Sequence, residues 1–197
     1  MDNRKVLIVC FMFFNISFLA EATDAKEHSE LSPISNTEFV TLQENPLAKP
    51  LIGLAGRVGQ LTVDGLSQYA LLLKPEQGMP LAGWPVIIFN HGFHPEPFMN
   101  GRRSVDGISD RPGDYYRQIP QSLARHGFLV VVPDYRGHND SAGTEFTLKE
   151  TSAHWYARDV LGVVNALDSI NNIDKSHLFM LGHSMGGQVT LRVAGVL

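Results

Sequence analysis

Apolar positions along the chain fall into two kinds of run, and each predicts a different element. Residues 56–63 and 68–73 are short segments rich in apolar and β-branched side chains, separated by Asp64-Gly65, a dipeptide suited to a tight turn with positive φ. They predict a β-hairpin. Residues 85–90 carry the unbroken run Val-Ile-Ile-Phe, residues 128–132 carry Leu-Val-Val-Val, and 177–181 form a further short apolar run. Runs without polar alternation suit strands covered on both faces of a parallel sheet. Between them the period becomes helical. Tyr116, Ile119 and Leu123 lie at helical spacing within 115–126, which stops at Gly127, a good C-cap; Pro120 marks a kink or the true first turn. Over 150–170, Tyr156, Val160, Val163, Leu167 and Ile170 recur at intervals of four and three and make one apolar stripe. Helices alternating with buried strands predict an α/β fold with parallel crossovers, a three-layer α/β sandwich.

The first 25 residues have a different logic. Arg4 and Lys5 precede an apolar stretch at 6–20, and Ala20-Glu21-Ala22 supplies small residues around a cleavage point. This is the three-part layout of a secretory signal peptide, with cleavage after Ala22. A transmembrane anchor fits less well, because the run is shorter than the roughly 20 residues needed to cross a bilayer and Asn15 and Ser17 interrupt it. A lipoprotein signal would need Cys10 behind the apolar core rather than ahead of it. The reading is a signal peptide at 1–22, a flexible polar lead-in at 23–50 with no sustained period, and one domain from 51 to 197. No stable membrane span is expected after cleavage, and the mature chain is expected outside the cytoplasm, secreted or periplasmic.

Composition narrows the chemistry. The 197 residues are 44% hydrophobic and 18% charged, as in a soluble globular domain. Acidic residues outnumber basic ones by 20 to 16, and the pI is near 6.0, so no basic surface points to nucleic acid. Cys10 is the only cysteine and lies in the signal, so the mature chain has no thiol for a disulfide, a zinc site or a nucleophile.

The decisive segment is Gly182-His183-Ser184-Met185-Gly186, a G-x-S-x-G placed where an expected strand gives way to an expected helix. In that context the serine stands on a sharp strained turn, and the flanking glycines admit close backbone approach. The helix that follows aims its N-terminal amides at the place where an oxyanion would form. Two further segments sit in matching positions. Asn90-His91-Gly92-Phe93 ends a buried strand, and Asp134-Tyr135-Arg136-Gly137-His138-Asn139-Asp140-Ser141 follows the next one.

Together these segments resemble the α/β-hydrolase superfamily, over about 57–197. The third segment is similar to the family's D-x-R-G-x-G-x-S loop, with Asn139-Asp140 where a second glycine is common. The resemblance implies Ser184 as nucleophile, Gly182 and Gly186 as elbow glycines, and the backbone N–H groups of Phe93 and Met185 as the oxyanion hole. It implies no cofactor and no metal. The expected function is a secreted serine hydrolase of ester or amide bonds acting through an acyl-enzyme on a small-molecule ester or peptide. An esterase or dienelactone-hydrolase-like enzyme is preferred to a prolyl-oligopeptidase-like peptidase, because the lead-in is too short for a propeller. The alternative is a non-catalytic binding module or pseudoenzyme using the same cleft, and a third reading is a fragment with no function of its own.

One departure from the family stands out. Its triad acid and histidine follow the nucleophile, yet residues 185–197 contain no Asp, Glu or His. The expectation is therefore an incomplete domain lacking its acid and base, doubtful in activity, with the strand at 177–181 left as an exposed sheet edge. His91 and His138 are the upstream candidates for a base, although His91 has a structural place in its motif and His138 belongs to the loop. The alternating charges of 102–114 read as solvated surface before a substrate mouth. Asn139-Asp140-Ser141 is also a glycosylation sequon.

Overall fold

The structure, a computed structural model, describes residues 6–11, 38, 40–44, 52–94, 118–149 and 151–197. The hairpin forms as its sequence requires: β3 (Leu54–Val63) and β4 (Leu66–Pro75) pair antiparallel around Asp64-Gly65, whose φ values of 52° and 78° are the positive pair of a two-residue turn. The apolar runs become β5 (Trp84–Asn90) and β6 (Leu129–Asp134). The run at 177–181 is the inner part of a longer strand, β7 (Ile173–His183). Its first residues pair with Trp84 and Pro85, and the register then skips 175–177, which is why the periodic signal starts late.

Helix α1 (Gln118–Arg125) lies between β5 and β6, with Pro120 in its first turn, where a missing N–H breaks no bond. Helix α2 (Ser152–Ala166) runs on into a 3₁₀ turn at Leu167–Ser169, and all five residues of its expected stripe are buried. Helix α3 (Met185–Ala194) follows β7.

Among the described residues the sheet has seven strands. With β1 (Val6–Phe11) and β2 (Val40–Glu44) at its edges, the order is β1-β7-β5-β6-β4-β3-β2. Strands β1, β7, β5 and β6 are parallel, and the hairpin joins β6 antiparallel, so the sheet is mixed. From β5 the chain moves one way to β6 and then back across β5 to β7. That reversal is a topological switch point, where a crevice opens outside the carboxyl ends of the strands.

Alternation along the central strands builds the two outer layers. Leu72, Ile88, Val131 and Met180 face α2 and α3, in a cluster that includes Val160, Val164, Val189 and Val193. Leu71, Leu73, Phe89, Val130 and Val132 face α1 at Ala124. The expected three-layer α/β sandwich is the observed architecture.

Two short strands and one sheet edge differ from the pattern read along the chain. The lead-in at 23–50 is not wholly without structure, because Val40–Glu44 pairs antiparallel with β3, with a register shift after Thr41. Five residues are too few to show a period. The sheet also includes 40–44 and 6–11, which precede the stretch 51–197 read as the domain. The edge of β7 is covered rather than exposed: β1, from inside the expected signal core, pairs with it in parallel from Val6↔Leu178 to Phe11↔His183. A row of unpaired N–H and C=O groups attracts an apolar β-branched segment wherever the chain supplies one. The charged stretch 102–114 lies outside the described residues.

Candidate active site

β7 and α3 meet at Ser184, which has φ 54° and ψ −121°. A side-chain-bearing residue in such a sparsely populated region costs on the order of 1–3 kcal/mol and persists only where its surroundings impose it. Here two glycines impose it. A Cβ on Gly182 would collide with Gly186 O and Thr190 Oγ1, and one on Gly186 would collide with the backbone of Asn90 and His91. The turn closes with Gly187 N–H donating to Ser184 O at 2.9 Å. Ser184 is exposed, its side chain does not cap α3, and its Oγ makes no hydrogen bond to the described residues. The hydroxyl stands open above the carboxyl end of β7, at the N-terminus of a ten-residue helix.

The same glycine contacts bring in the second half of the site. Asn90 is the Cα partner of Gly182, and the chain beyond it runs through His91 and Gly92 to Phe93. Since Gly186 packs on the Asn90 and His91 carbonyls, this segment lies against the first turn of α3. Phe93 projects, with 55% of its surface exposed, while His91 is fully buried. Met185 is partly buried against the core. The structure thus gathers Gly182, Ser184, Met185, Gly186 and Phe93 at one end of the sheet.

A clamp between β5 and α3 was not foreseen. Asn90 Nδ2 donates to Thr190 Oγ1 at 2.8 Å, and Thr190 Oγ1 donates to Gly186 O at 2.8 Å. Both side chains are fully buried. The signals were a polar residue closing an apolar strand and a threonine four positions after an elbow glycine.

Neither His91 nor His138 bonds to Ser184 through its Nδ1. His91 Nδ1 lies 2.9 Å from Gly92 O, and His138 Nδ1 lies 3.4 Å from Arg136 O. The two rings are 5.0 Å apart; His91 stacks on Tyr135 at 4.3 Å, and His138 meets Tyr156 edge-on at 5.3 Å. Burial pushes His91 down to about 4, and burial together with the neighbouring His91 holds His138 well below the usual imidazole range. Both are neutral packing residues beneath the site at neutral pH.

The loop after β6 is anchored on Arg136, which is 1% exposed. Its Nη2 donates to Asp159 Oδ1 at 2.7 Å and to Asp64 Oδ2 at 3.0 Å, and its backbone N–H donates to Asp159 Oδ2 at 2.7 Å. The guanidinium also lies against the Phe146 and Trp155 rings. Arg158, bonded to Asp64, holds that carboxyl down at about 2; burial pushes Asp159 up to about 6, with Arg136 pulling the other way. A cleft of about 420 Å³ opens between these groups, lined by Asp64, Phe146, Trp155 and Arg158 and by none of the elbow residues. The sequon is already engaged within the fold: Asn139 Nδ2 donates to Asp134 Oδ2 at 2.6 Å, and Ser141 Oγ donates to Asp134 O at 2.8 Å.

At the far end of β7, Ser176, His177 and Asp174 imitate a triad in composition only. Ser176 Oγ and Asp174 Oδ2 both meet His177 Nδ1, at 3.1 and 2.7 Å, whereas a proton relay needs the two partners on different ring nitrogens. Among the described residues no three or more His, Cys, Asp or Glu side chains are grouped to hold a metal ion, and no helix is long and apolar enough to cross a membrane.

Comparison with known proteins agrees with this geometry. The family model described as serine aminopeptidase, S33, matches residues 105–196. The chain is 25% identical over 133 residues to the "Probable dipeptidyl-aminopeptidase B" of Talaromyces marneffei, covering 67% of this chain and 14% of that protein. It is 32% identical over 79 residues to the monoglyceride lipase of Rattus norvegicus, covering 40% of this chain and 25% of the lipase. The chain therefore spans a quarter or less of these relatives. Among solved structures, acetyl xylan esterase 1 from Thermoanaerobacterium superposes with a TM-score of 0.59 at 18% identity, over 88% of this chain and 55% of the esterase. That likeness is one of fold. Strand order, the strained turn at Ser184 and these matches agree: the chain has the α/β-hydrolase fold.

Proposed function

We propose that this chain carries the nucleophile and the oxyanion hole of a secreted serine hydrolase that cleaves ester or amide bonds of small molecules or peptides through an acyl-enzyme on Ser184. The observation that carries the reading is the exposed, strained Ser184 at the tip of β7, with the Asn90-His91 backbone packed on Gly186. The serine attacks a carbonyl carbon, and the oxygen that gains the charge is held by the N–H groups of Met185 and Phe93. Fixed backbone donors suit this task because they need no reorganisation as charge develops, and losing one typically costs ~2.7–4 kcal/mol. An ester is the preferred substrate and a peptide the alternative. The lipase, esterase and aminopeptidase names of the relatives share cleavage of a bond to an acyl carbon. The localisation rests on residues 1–22 acting as an export signal cleaved after Ala22, which N-terminal sequencing of protein recovered outside the cytoplasm tests.

Turnover needs a base to take the serine proton and a carboxylate to orient it. Residues 185–197 supply neither, and the buried His91 and His138 bond to backbone carbonyls rather than to Ser184. The 197-residue chain is accordingly proposed to be silent in turnover while keeping the geometry of the nucleophile and oxyanion hole. The alternative reading is a non-catalytic module that binds acyl compounds in this crevice.

An arylboronic acid, which forms a tetrahedral adduct with a serine oxygen, separates the possibilities when compared with p-nitrophenyl acetate turnover. An adduct on the wild-type chain, absent from Ser184→Ala, with both proteins hydrolysing the ester at background rate, is the expected result. No adduct would sink the hydrolase reading in favour of the binding module. Strong Ser184-dependent turnover would show that a base is present after all.

A further inference from the structure

Arg136 carries a donor that the fold does not use. Its Nε and Nη2 donate to Asp159 and Asp64, whereas Nη1 is hydrogen-bonded to none of the described residues, although the residue is only 1% exposed. A buried N–H without a partner is unfavourable, and its survival in a folded protein calls for a reason. The reason lies beside it. Arg136 lines the cleft of about 420 Å³, a size that small ligands occupy.

Three elements converge on that cleft: the hairpin turn brings Leu66, the loop after β6 brings Glu145 and Phe146, and α2 brings Trp155. Ion pairs hold them together, since Asp64 accepts from Arg136 and Arg158 while Asp159 accepts from Arg136. These four charges cancel, so the cluster has no excess positive charge with which to hold an anion. Nor can Arg136 grip a carboxylate in bidentate fashion, because only one of its nitrogens is free. An ammonium fits no better, since it would sit beside two guanidinium groups. Nη1 therefore calls for an uncharged oxygen.

Glu145 asks for the complement. It is exposed, lines the same cleft and is hydrogen-bonded to none of the described residues, so it offers an acceptor. A hydroxyl serves both groups, because its oxygen accepts and its O–H donates. Phe146 and Trp155 supply apolar surface; their rings stand 5.0 Å apart and are tilted by 56°, which makes a corner rather than a parallel slot for a flat aromatic ring. A puckered ring with hydroxyls at its rim and C–H groups on its face matches that corner.

We propose that this cleft is a binding site for a pyranose sugar ring. Arg136 Nη1 donates to one hydroxyl oxygen, Glu145 accepts from another hydroxyl, and the C–H face of the ring packs on Trp155. None of the elbow residues lines the cleft, so the inference stands apart from the reading of Ser184.

The test uses the full chain and a set of methyl pyranosides that differ in hydroxyl configuration, with sodium benzoate and choline chloride as charged probes. Saturation-transfer NMR measures binding from the ligand, and Trp155 fluorescence follows it from the protein. At least one pyranoside is expected to bind saturably, with transfer concentrated on the C–H protons of one ring face. Glu145→Ala, which removes an exposed side chain and leaves the core intact, should weaken binding about tenfold through loss of one hydroxyl acceptor. Trp155→Leu should weaken it as well and remove the fluorescence change, while Ser184→Ala should bind as the wild type does. Maltose and cellobiose extend the set: tighter binding than the single ring assigns the cleft to a glycan chain, and equal binding to a free sugar. No saturable binding of any pyranoside would overturn the inference, as would binding unchanged in Glu145→Ala or lost in Ser184→Ala. Tighter binding of benzoate or choline, reduced by the same cleft substitutions, would show that the cleft takes a charged ligand instead.

Discussion

Lowering the pH should unfold this protein through His91. The unfolded imidazole takes up a proton near 6.5, whereas the folded one does so only at about 4, because its charged form would be stranded in a fully buried site between Gly92, Tyr135 and His138. The sign follows from linkage: between those two values the unfolded state binds more protons, so stability is complete above 6.5 and is lost as pH falls towards 4. The full interval is worth about 3 kcal/mol, of which about 2 kcal/mol is gone by pH 5. His138, shifted in the same direction, steepens the loss. Asp159 acts oppositely, since its carboxyl is raised to about 6 and favours the fold as pH falls through that value, and Asp64 contributes only below about 4. The Asp159 and Asp64 terms are common to wild type and His91→Gln, whereas His138 is held down partly by His91, so the difference between the two proteins reads the His91 imidazole together with its coupling to His138. Urea unfolding followed by the fluorescence of Trp84 and Trp155 at pH 7, 6 and 5 is the assay. The wild type should lose about 2 kcal/mol more than the variant between pH 7 and 5. Parallel pH dependence in the two proteins would refute the claim that His91 is buried in its neutral form.

Other substitutions test the scaffold of the site, each read as a shift in urea unfolding. Gly186→Ala places a Cβ against the carbonyls of Asn90 and His91, which are backbone and yield poorly, so it should cost about 3 kcal/mol and abolish the boronate adduct. Thr190→Val keeps the shape but leaves buried Asn90 Nδ2 without its acceptor, a loss of about 1–3 kcal/mol. Asp159→Ala strands the Arg136 guanidinium and should cost about 3–5 kcal/mol, more than Asp159→Asn, which keeps an acceptor oxygen in place.

How far the fold was legible depended on the distance between partners. The hairpin was readable because Asp64-Gly65 joins strands that pair with their sequence neighbours, and α2 because its stripe repeats over four turns. Strands β1 and β2 were not, because nothing within six or five residues says which edge will take them; β1 pairs with residues more than 160 positions away. The site divides the same way. Ser184, Gly182 and Gly186 were legible as one local motif. The groups that hold them were not, since Asn90 reaches Thr190 across 100 residues and Arg136 reaches Asp64 across 72. The three motifs located the end of the sheet where chemistry happens, but not the polar links between them.

Those links explain how the strained serine is held. Holding Ser184 at φ 54° costs on the order of 1–3 kcal/mol, and a single hydrogen bond of net worth about 1 kcal/mol would not hold it. The restraint comes from packing: Gly182 and Gly186 are so closely approached that neither has room for a Cβ, Asn90 and Thr190 fix the helix at the depth where Gly186 meets β5, and Val189 and Val193 seat that helix in the core. Every one of these groups lies between Trp84 and Ala194, in the elements β5, β7 and α3. The exposed Ser184 and the first turn of α3 are therefore positioned by packing. Proton transfer is a separate requirement on which this packing does not depend, which is why a boronate adduct at Ser184 is the expected outcome whatever the rate of turnover.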